Sequence, residues 1–304
     1  MTKEKNMIIK NVTIAGAGVL GSQVAWQTAL HGFNVFVFDI CKDSIEKSKE
    51  LHKQFAELFL TTRGASQLTV EAALNRINYT TDLAEAVNDA DIISESVPES
   101  IEVKADFYRM LSQVAPKKTI FTTNSSSLLP SQFAEFTGRP EKFIALHFAN
   151  GIWDANVGEV MGHAETSTET FNRVVKFAEE IGMVPIPIHK EQNGYVLNSL
   201  LIPLLSAAGD LAVNGVATPE TIDKTWMIST GVKMGPFATM DIIGMQTMYN
   251  LDSMWGRLLN DPQRLARAEY IDKHFIKQGK MGVQSGEGFY KYPNPAYAKE
   301  SFLN

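Results

Sequence analysis

The feature that most constrains this chain is the glycine-rich segment Gly16-Ala-Gly18-Val-Leu-Gly21, which matches the pattern G-x-G-x-x-G. It lies between a short β-rich run at 12–15 and a stretch of apolar residues at helical spacing that stops at His31-Gly32. Residues 34–39 then predict a buried strand, because they are almost continuously apolar and end in an acid. A strand, a tight glycine turn, a helix and a second strand ending in an acid are typical of the first βαβ unit of a Rossmann domain.

Each glycine of such a turn meets a separate geometric need. Gly16 is expected to make the tight turn, Gly18 to let a pyrophosphate approach the backbone, and Gly21 to let helix and strand pack closely. The free N–H groups around Val19 and Leu20 would bind phosphate at the helix N-terminus. These five residues are therefore the predicted dinucleotide-binding turn.

Asp39 is expected to determine which dinucleotide binds. Its carboxylate would accept hydrogen bonds from the adenosine ribose and repel a 2′-phosphate, so the sequence predicts NAD rather than NADP. The alternative interpretation is a glycine-rich turn that binds no ligand, followed by an aspartate that caps the next element. The agreement of strand, turn, helix and acid favours the first interpretation.

The rest of the chain changes character near residue 190. A charged helix is predicted at 43–60 and a shorter one around 70–74, and further strands are predicted at Ile92-Ile93, 119–123, 143–147, 158–161 and 184–188. After Asn193 no β-rich run appears, and helical spacing dominates through Lys277. The sequence therefore predicts an α/β fold, with a Rossmann-type doubly wound parallel sheet in a first domain at 1–190 and an all-α second domain at 191–304.

Composition excludes several classes of function. The formal net charge of −6 argues against a nucleic-acid or anionic-membrane partner. Cys41 is the only cysteine, so no intrachain disulfide can form and a reducing compartment is expected. The first residues lack the apolar stretch of a signal peptide, and the longest apolar run, 195–205, is too short and too polar to span a bilayer. We expect a cytoplasmic protein with a small-molecule substrate and no metal.

Of the six histidines, His147 has the most informative surroundings. It ends the apolar strand at 143–147, where open α/β sheets place their ligand crevice. Glu159 lies in the next predicted strand, and two adjacent strands would let its carboxylate reach the imidazole. Such a carboxylate fixes the tautomer and leaves the other ring nitrogen to take a proton, which alcohol oxidation by hydride transfer requires. His163 and His189 are weaker candidates.

Over nearly its whole length the chain resembles the 3-hydroxyacyl-CoA dehydrogenases. Within that family it is most similar to the branch represented by bacterial diketoreductases, which accept β-keto substrates without CoA. The resemblance rests on motifs in a fixed order: the Gly16 turn with Asp39, Ser96-Val-Pro-Glu99 with Lys104, Thr123-Asn-Ser-Ser126-Ser-Leu, Phe143-Ile-Ala-Leu-His147-Phe-Ala-Asn150, Gly158-Glu159-Val, Gly194-Tyr-Val-Leu-Asn198-Ser-Leu-Leu-Ile-Pro203, Gly235-Pro236-Phe237 and Gly286-Glu-Gly-Phe289-Tyr290.

The resemblance implies catalytic roles. His147 corresponds to the family's acid/base, and Glu159 to its orienting partner. Ser126 corresponds to the hydroxyl that binds the reacting oxygen of the substrate, although a serine there also suits a helix cap or a strand end. Asn198 corresponds to an amide that reaches the active site from the helical domain, although an asparagine buried in a helix can equally be structural.

The resemblance also implies cofactor contacts and an assembly. Asn150 corresponds to a residue near the nicotinamide, and Glu99 and Lys104 to residues that contact NAD. Without the resemblance, Glu99 and Lys104 would be interpreted as an exposed pair at a helix start. A homodimer is expected through the helical domain, because an apolar face there is broader than one short helix pair would bury. That face consists of Leu200, Leu201, Leu204, Leu205, Ala208 and Leu211.

Three departures from the family pattern put the acyl carrier in doubt. Asn150-Gly-Ile-Trp153-Asp154 replaces a proline-rich segment, and Val283-Gln284 stands where many members have a basic residue. The lysines of the helix after Asp39 lie in its first half, whereas residues 54–62 contain no basic residue. CoA carries several phosphates and calls for fixed positive charge, so we expect CoA thioesters to be poor substrates.

Three functions compete on this evidence. The first is an NAD-dependent interconversion of 3-hydroxyacyl and 3-ketoacyl groups, with diketoreductase-like reduction of non-CoA β-keto acids or esters as the alternative. A non-catalytic structural member of the family is less favoured, because the expected catalytic residues are all present. A Rossmann dehydrogenase of the 6-phosphogluconate type would carry a catalytic lysine in place of His147.

Overall fold

The computed structural model describes residues 9–304 of the chain. The chain forms two compact units, of which the first ends at Val196 and the second runs from Leu197 to Asn304. The boundary expected from the sequence, near residue 190, lies a few residues before this division. No helix in the described part of the chain has the length and apolar character needed to cross a bilayer.

The first unit is built on an eight-stranded sheet with the order β3-β2-β1-β4-β5-β6-β7-β8. Neighbouring strands are parallel except β6 and β7, which run antiparallel. The reversal of strand order at β1 confirms the predicted doubly wound arrangement. The strands are β1 Asn11–Ala15, β2 Asn34–Phe38, β3 Ile77–Thr80, β4 Ile92–Glu95, β5 Ile120–Thr123, β6 Phe143–Phe148, β7 Val157–Met161 and β8 Val184–Ile188.

Six helices connect these strands and cover the sheet. Four of them begin at a side chain that accepts a hydrogen bond from a backbone N–H of the first turn: Ser66, Asp82, Ser100 and Ser167. Apolar clusters form on both faces of the sheet, which explains the near-continuous apolar runs of its central strands. The helices are α1 Val19–Leu30, α2 Lys42–Thr62, α3 Gln67–Asn75, α4 Leu83–Val87, α5 Ile101–Val114 and α6 Thr168–Glu180.

One strand, β3, was not predicted from the sequence. It pairs with β2 at the edge of the sheet, and of its four residues only Ile77 is buried. A short edge strand with asparagine, tyrosine and threonine lacks the apolar run that marks the central strands, because one of its edges has no neighbouring strand to cover it.

The second unit is made of five α-helices with short 3₁₀ segments. Its core includes Leu205, Ala208, Phe237, Met245 and Ile271. Leu205 and Ala208, predicted to lie on an outer apolar face, therefore belong to the core of this unit, whereas Leu200 and Leu211 are 71% and 41% exposed. The helices are α7 Leu197–Val213, α8 Pro219–Thr230, α9 Pro236–Ile243, α10 Met245–Leu258 and α11 Pro262–His274.

Candidate active site

The three glycines after β1 differ in what surrounds them. Gly16 has φ +111°, and a Cβ there would lie 2.4 Å from the carbonyl oxygen of Ser96. A Cβ at Gly21 would lie 2.0 Å from the carbonyl oxygen of Gly16, whereas one at Gly18 would meet nothing within 4 Å. Gly16 and Gly21 are thus required by packing within the protein. Gly18 leaves open space beside the backbone, as the approach of a pyrophosphate requires.

The start of α1 provides hydrogen-bond donors at this open space. The helix begins at Val19, and its N-cap residue Gly18 offers no side chain to the N–H groups of the first turn. Asp39 lies beside the turn, because its Oδ2 accepts the N–H of Ala17 at 2.9 Å and its Oδ1 accepts the N–H of Cys41 at 2.9 Å. An uncapped helix start for phosphate next to a fixed carboxylate for ribose hydroxyls fits a dinucleotide.

A hydrogen-bonded relay lies at the ends of β5, β6 and β7. His147 and Glu159 are directly opposite each other in the antiparallel pair β6–β7. The Nδ1 atom of His147 is 3.0 Å from Oε2 of Glu159, and its Nε2 atom is 3.0 Å from Oγ of Ser126. His147 and Glu159 are 3% and 2% exposed, whereas Ser126 is exposed. A proton can therefore pass between an accessible hydroxyl and an imidazole that a buried carboxylate orients.

Two neighbours of this relay were not singled out from the sequence. The ring of Tyr195 stacks on that of His147, with centroids 4.5 Å apart and planes inclined by 15°. The backbone N–H of Val196 donates to Oε1 of Glu159 at 2.9 Å. The motif Gly194-Tyr-Val was visible in the sequence, but nothing in its spacing indicated that it lies against the strand pair.

Glu99 organises the loop that carries Ser126. Its Oε1 atom accepts the hydroxyl of Ser125 at 2.5 Å, and both the N–H and the hydroxyl of Ser127, at 3.0 and 2.8 Å. Burial alone would raise the pKa of Glu99, but the Ser125 bond, the Lys104 charge and the Ser127 bonds outweigh it and hold that pKa below its ordinary value. Glu99 is therefore an anion that braces the loop on both sides of Ser126.

Lys104 is buried rather than exposed at a helix start. Only 1% of its side chain is accessible, and its ammonium lies 2.6 Å from Oε1 of Glu95 and 3.3 Å from Oε2 of Glu99. Glu95, which the sequence analysis did not identify, also accepts the hydroxyls of Tyr108 and Thr123. The alternative of an exposed pair is thus wrong for Lys104, and its contact with NAD stays a prediction.

The loop between β6 and β7 contacts α1 and α2, the helices next to the glycine turn. The N–H of Gly151 donates to the side-chain oxygen of Gln23, in α1, at 2.9 Å. Trp153 packs edge-on against Phe55 and Phe59 of α2, with centroids 4.9 and 5.6 Å apart. Asp154 is exposed and forms an ion pair with Arg63 at 2.5 Å.

The remaining predicted residues stand in less specific positions. Asn150 is exposed in the same loop, and Asn198 is the second residue of α7, in the second unit. His163 faces the carbonyl oxygen of Pro140, and His189 is exposed, so neither alternative histidine has a comparable carboxylate partner in the described structure. No group of three or more potential ligands for a metal ion occurs among residues 9–304.

Comparison with known proteins covers both units. Residues 11–192 match the family model described as 3-hydroxyacyl-CoA dehydrogenase, NAD binding domain, and residues 194–292 match 3-hydroxyacyl-CoA dehydrogenase, C-terminal domain. A hydroxyacyl-coenzyme A dehydrogenase of Rattus norvegicus, named as mitochondrial, is 32% identical over 95% of this chain and 93% of its own. A probable 3-hydroxybutyryl-CoA dehydrogenase of Bacillus subtilis is 33% identical over 94% of this chain and 98% of its own.

Two solved structures are similar to this chain over nearly its whole length. One, described as "Substrate-directed dual catalysis of dicarbonyl compounds by diketoreductase", is 50% identical, with a TM-score of 0.88 over 93% of this chain and 99% of that one. An (S)-3-hydroxybutyryl-CoA dehydrogenase from Ralstonia eutropha is 26% identical, with a TM-score of 0.82 over 94% of this chain and 100% of that one.

Proposed function

Because the chain belongs to the 3-hydroxyacyl-CoA dehydrogenase family of NAD-dependent oxidoreductases, we propose that it interconverts a 3-hydroxy and a 3-keto group, with His147 as general acid/base and Glu159 as its charge partner. The relay from Ser126 through His147 to Glu159, with both links at 3.0 Å, carries this proposal. An intact relay also argues against a non-catalytic family member.

Each residue of the relay has a separate role in the proposed reaction. NAD, when bound, accepts the hydride in oxidation and NADH returns it in reduction. In oxidation, Nε2 of His147 takes the proton of the substrate hydroxyl, while Ser126 hydrogen-bonds the same oxygen. The anionic Glu159 stabilises the imidazolium that forms, and the Val196 N–H fixes the other oxygen of that carboxylate. In reduction, His147 returns the proton.

The cofactor and substrate contacts are proposed on the same basis. The uncapped start of α1 at Val19 and Leu20 would hold the pyrophosphate. Asp39 would hold the ribose, so Asp39→Ala should narrow the preference for NADH over NADPH in kcat/KM. We propose that Asn150 and Asn198 contact the nicotinamide side and the substrate, as the family resemblance implies. Glu99 would act by shaping the Ser126 loop, together with Lys104.

The central test is His147→Gln, assayed by NADH consumption with acetoacetyl-CoA and, separately, ethyl acetoacetate. We expect turnover to fall by about 10²–10⁴ with either substrate, since that is the usual cost of losing a positioned base. NADH affinity, measured by fluorescence titration, should stay the same. Near-normal turnover in this variant would remove His147 from the mechanism.

A specific observation favours substrates without CoA as the second candidate. Arg63, the cation that follows residues 54–62, is paired with the exposed Asp154, and the negative charge of Asp154 offsets the attraction of Arg63 for a phosphate. The 50% identical neighbour is named for dicarbonyl compounds and diketoreductase. We therefore propose that β-keto acids or esters are accepted without CoA.

The ratio of kcat/KM for acetoacetyl-CoA and ethyl acetoacetate decides between the two carriers. A thousandfold preference for the thioester, about 4 kcal/mol of transition-state binding, would show that the CoA moiety is recognised. Asp154→Asn removes the ion pair of Arg63, so it should raise kcat/KM for acetoacetyl-CoA but not for ethyl acetoacetate. Asp106→Asn, which breaks the exposed ion pair of Asp106 with Arg109 on α5 and leaves α2 unchanged, is the matched control.

The assembly is also a proposal. A homodimer would use the apolar residues that α7 leaves exposed, including Leu200 and Leu211. Sedimentation at micromolar concentration should give the mass of two chains, and a monomer would exclude this assembly. The cytoplasmic location expected from the sequence remains a prediction.

A further inference from the structure

The segment 194–196 has an unusual backbone. Gly194 has φ +77°, and Tyr195 has φ +53°, so two consecutive residues lie in the left-handed region. A bulky residue rarely adopts this conformation and holds it only where its surroundings demand it, often at functional sites. The turn brings the side chain of Tyr195 and the N–H of Val196 to the same His147–Glu159 pair.

The Tyr195 side chain has two separate contacts there. Its ring lies nearly parallel to the imidazole of His147, 4.5 Å away, and the residue is 2% exposed. Its hydroxyl donates to the backbone carbonyl of Ser125 at 2.8 Å, directly before Ser126. The tyrosine therefore contacts His147 through its ring, and it contacts the backbone next to Ser126 through its hydroxyl.

We propose that Tyr195 is a positioning residue for this reaction: its ring stabilises the imidazolium form of His147, and its hydroxyl holds the loop that presents Ser126. The inference rests on the proposed function, because it assigns a use to His147 as the base. Simple filling of space would explain a buried aromatic ring, but not a hydroxyl bond to the Ser126 loop combined with a strained backbone.

The physical basis is the charge distribution of the ring. The face of an aromatic ring is negative, and a cation within about 6 Å of its centroid is attracted to it, more strongly where water is excluded. His147 becomes a cation only when it has taken the proton, so the interaction favours the product of proton transfer. The ring acts on His147 in addition to the Glu159 carboxylate.

Other charges near Tyr195 act in the same environment. The carboxylates that bear on its hydroxyl are Glu99, Glu159, Glu95 and Glu191, and burial together with these charges raises the pKa of Tyr195. Lys104 offsets two of them through its ion pairs with Glu95 and Glu99. The phenol is thus a neutral donor throughout the working pH range. The groups that face His147 itself are the Glu159 carboxylate, the Ser126 hydroxyl and the tyrosine ring.

The test compares Tyr195→Leu with Tyr195→Phe in the direction of alcohol oxidation, over a range of pH. The value of kcat/KM should rise with pH as His147 loses its proton. Loss of the ring in Tyr195→Leu should move this rising limb of the pH profile to lower pH by about half a unit to one unit, and it should lower kcat about tenfold. Tyr195→Phe keeps the ring, so its limb should stay in place while kcat falls only a few-fold.

Two controls keep the outcome interpretable. NADH affinity and the thermal midpoint, measured in each variant, report whether the fold is intact. If Tyr195→Leu does not fold, pentafluorophenylalanine at position 195 keeps the shape of phenylalanine while reversing the charge of the ring face, and the limb should move to lower pH relative to Tyr195→Phe.

The outcomes separate the two proposals. Suppose that the rise of kcat/KM with pH is lost in His147→Gln but stays at the same pH when the Tyr195 ring is removed or fluorinated. That result overturns the role of Tyr195 and leaves the proposed function intact. If the rise of kcat/KM with pH persists in His147→Gln, the proposed function is overturned instead.

Discussion

Each unit buries carboxylates, and the groups that surround them differ. In the first unit, Glu159 accepts from the imidazole of His147 and from the backbone N–H of Val196. In the second unit, Asp223 and Asp241 accept from backbone N–H groups and tyrosine hydroxyls. Their donors are the N–H groups of Phe237, Ala238, Phe289 and Tyr290 and the hydroxyls of Tyr290 and Tyr292.

The difference shows what makes a buried carboxylate able to support proton transfer. An imidazole gains and loses a proton near neutral pH, and Ser126 connects it to accessible space. Backbone N–H groups do not titrate, and burial together with the Asp223 charge raises the pKa of Tyr290. The acids of the second unit therefore join α8, α9 and the 286–292 segment. They would stabilise the fold, whereas Glu159 would tune a base.

The largest expected effect is on the second unit, through Asp241→Ala. This change leaves the N–H groups of Phe289 and Tyr290 and the hydroxyl of Tyr292 without their acceptor. At about 1–3 kcal/mol for each buried group left unpaired, the free energy of unfolding should fall by about 3 kcal/mol or more. Urea unfolding measures it.

Two further variants sharpen that measurement. Ile242→Ala changes the exposed neighbouring residue on α9 and should cost much less. Gly288→Ala should destabilise as well, because its Cβ would lie 2.1 Å from Oδ1 of Asp241. If Asp241→Ala and Ile242→Ala had the same free energy of unfolding, the structural role assigned to Asp241 would be wrong.

The second effect is on the first unit, through Glu159→Gln. The amide keeps an oxygen for the Val196 N–H, but it removes the charge that stabilises the imidazolium and turns its NH2 group toward Nδ1 of His147. That NH2 group favours the tautomer in which Nε2 already carries a proton, so kcat should fall by about 10²–10⁴. Replacing a buried charge by a neutral group of the same shape should leave the free energy of unfolding nearly unchanged. A variant that lost stability as much as activity would place Glu159 with Asp223 and Asp241 as a structural acid.

The third effect is on the pH dependence of stability. Burial raises the pKa of Asp223 and of Asp241 above the ordinary value of about 3.9 for an aspartate, despite their hydrogen bonds. The folded state then binds more protons than the unfolded state, so these two acids lower stability as pH rises from about 4 through their raised pKa values.

Asp223→Asn removes one of these contributions. The slope of unfolding free energy against pH should become more positive in that window, by at most about 1.4 kcal/mol per pH unit. Urea titrations at a series of pH values measure the slope, and Asp89→Asn, an exposed acid, is the control. An unchanged or more negative slope would contradict the raised pKa.

The smallest effect is that of Tyr290→Phe. It removes one donor to Asp223, a bond of 2.9 Å, and keeps the ring in the core. We expect a loss of about 1 kcal/mol in unfolding free energy, the usual net value of one hydrogen bond. A loss as large as that of Asp241→Ala would mean that the Tyr290 hydroxyl, rather than the backbone N–H groups, provides most of the stabilisation around Asp223.

Sequence reasoning succeeded where the requirement is local in the chain. The turn at Gly16 needs a left-handed residue next to a strand, and Gly21 needs a close helix packing, so glycine at that spacing is sufficient evidence. The position of His147 at the end of an apolar strand likewise follows from its immediate neighbours. Strand β3 was missed because an edge strand needs no apolar run.

The same reasoning could not find contacts between distant parts of the chain. The sequence identifies Trp153 and Asp154 only as a departure from the family pattern, whereas the structure shows Trp153 packed on α2 and Asp154 paired with Arg63. The motif around Glu99 identifies Lys104, but the burial of Lys104 against Glu95 depends on how α5 packs beside β4. Nothing in the residues around Lys104 specifies that partner.

The sequence by itself determined the family, the glycine turn after β1 and the doubly wound sheet, and it identified the candidate base, because each depends on residue types at short, fixed spacings. Only the tertiary structure decided that Tyr195 stacks on His147, that Val196 holds Glu159, and which of the α7 leucines remain exposed. Spacing along one strand or helix is set by backbone geometry, which the chain specifies locally. The choice of a partner elsewhere in the chain is set by how whole elements pack, and that depends on all the elements together.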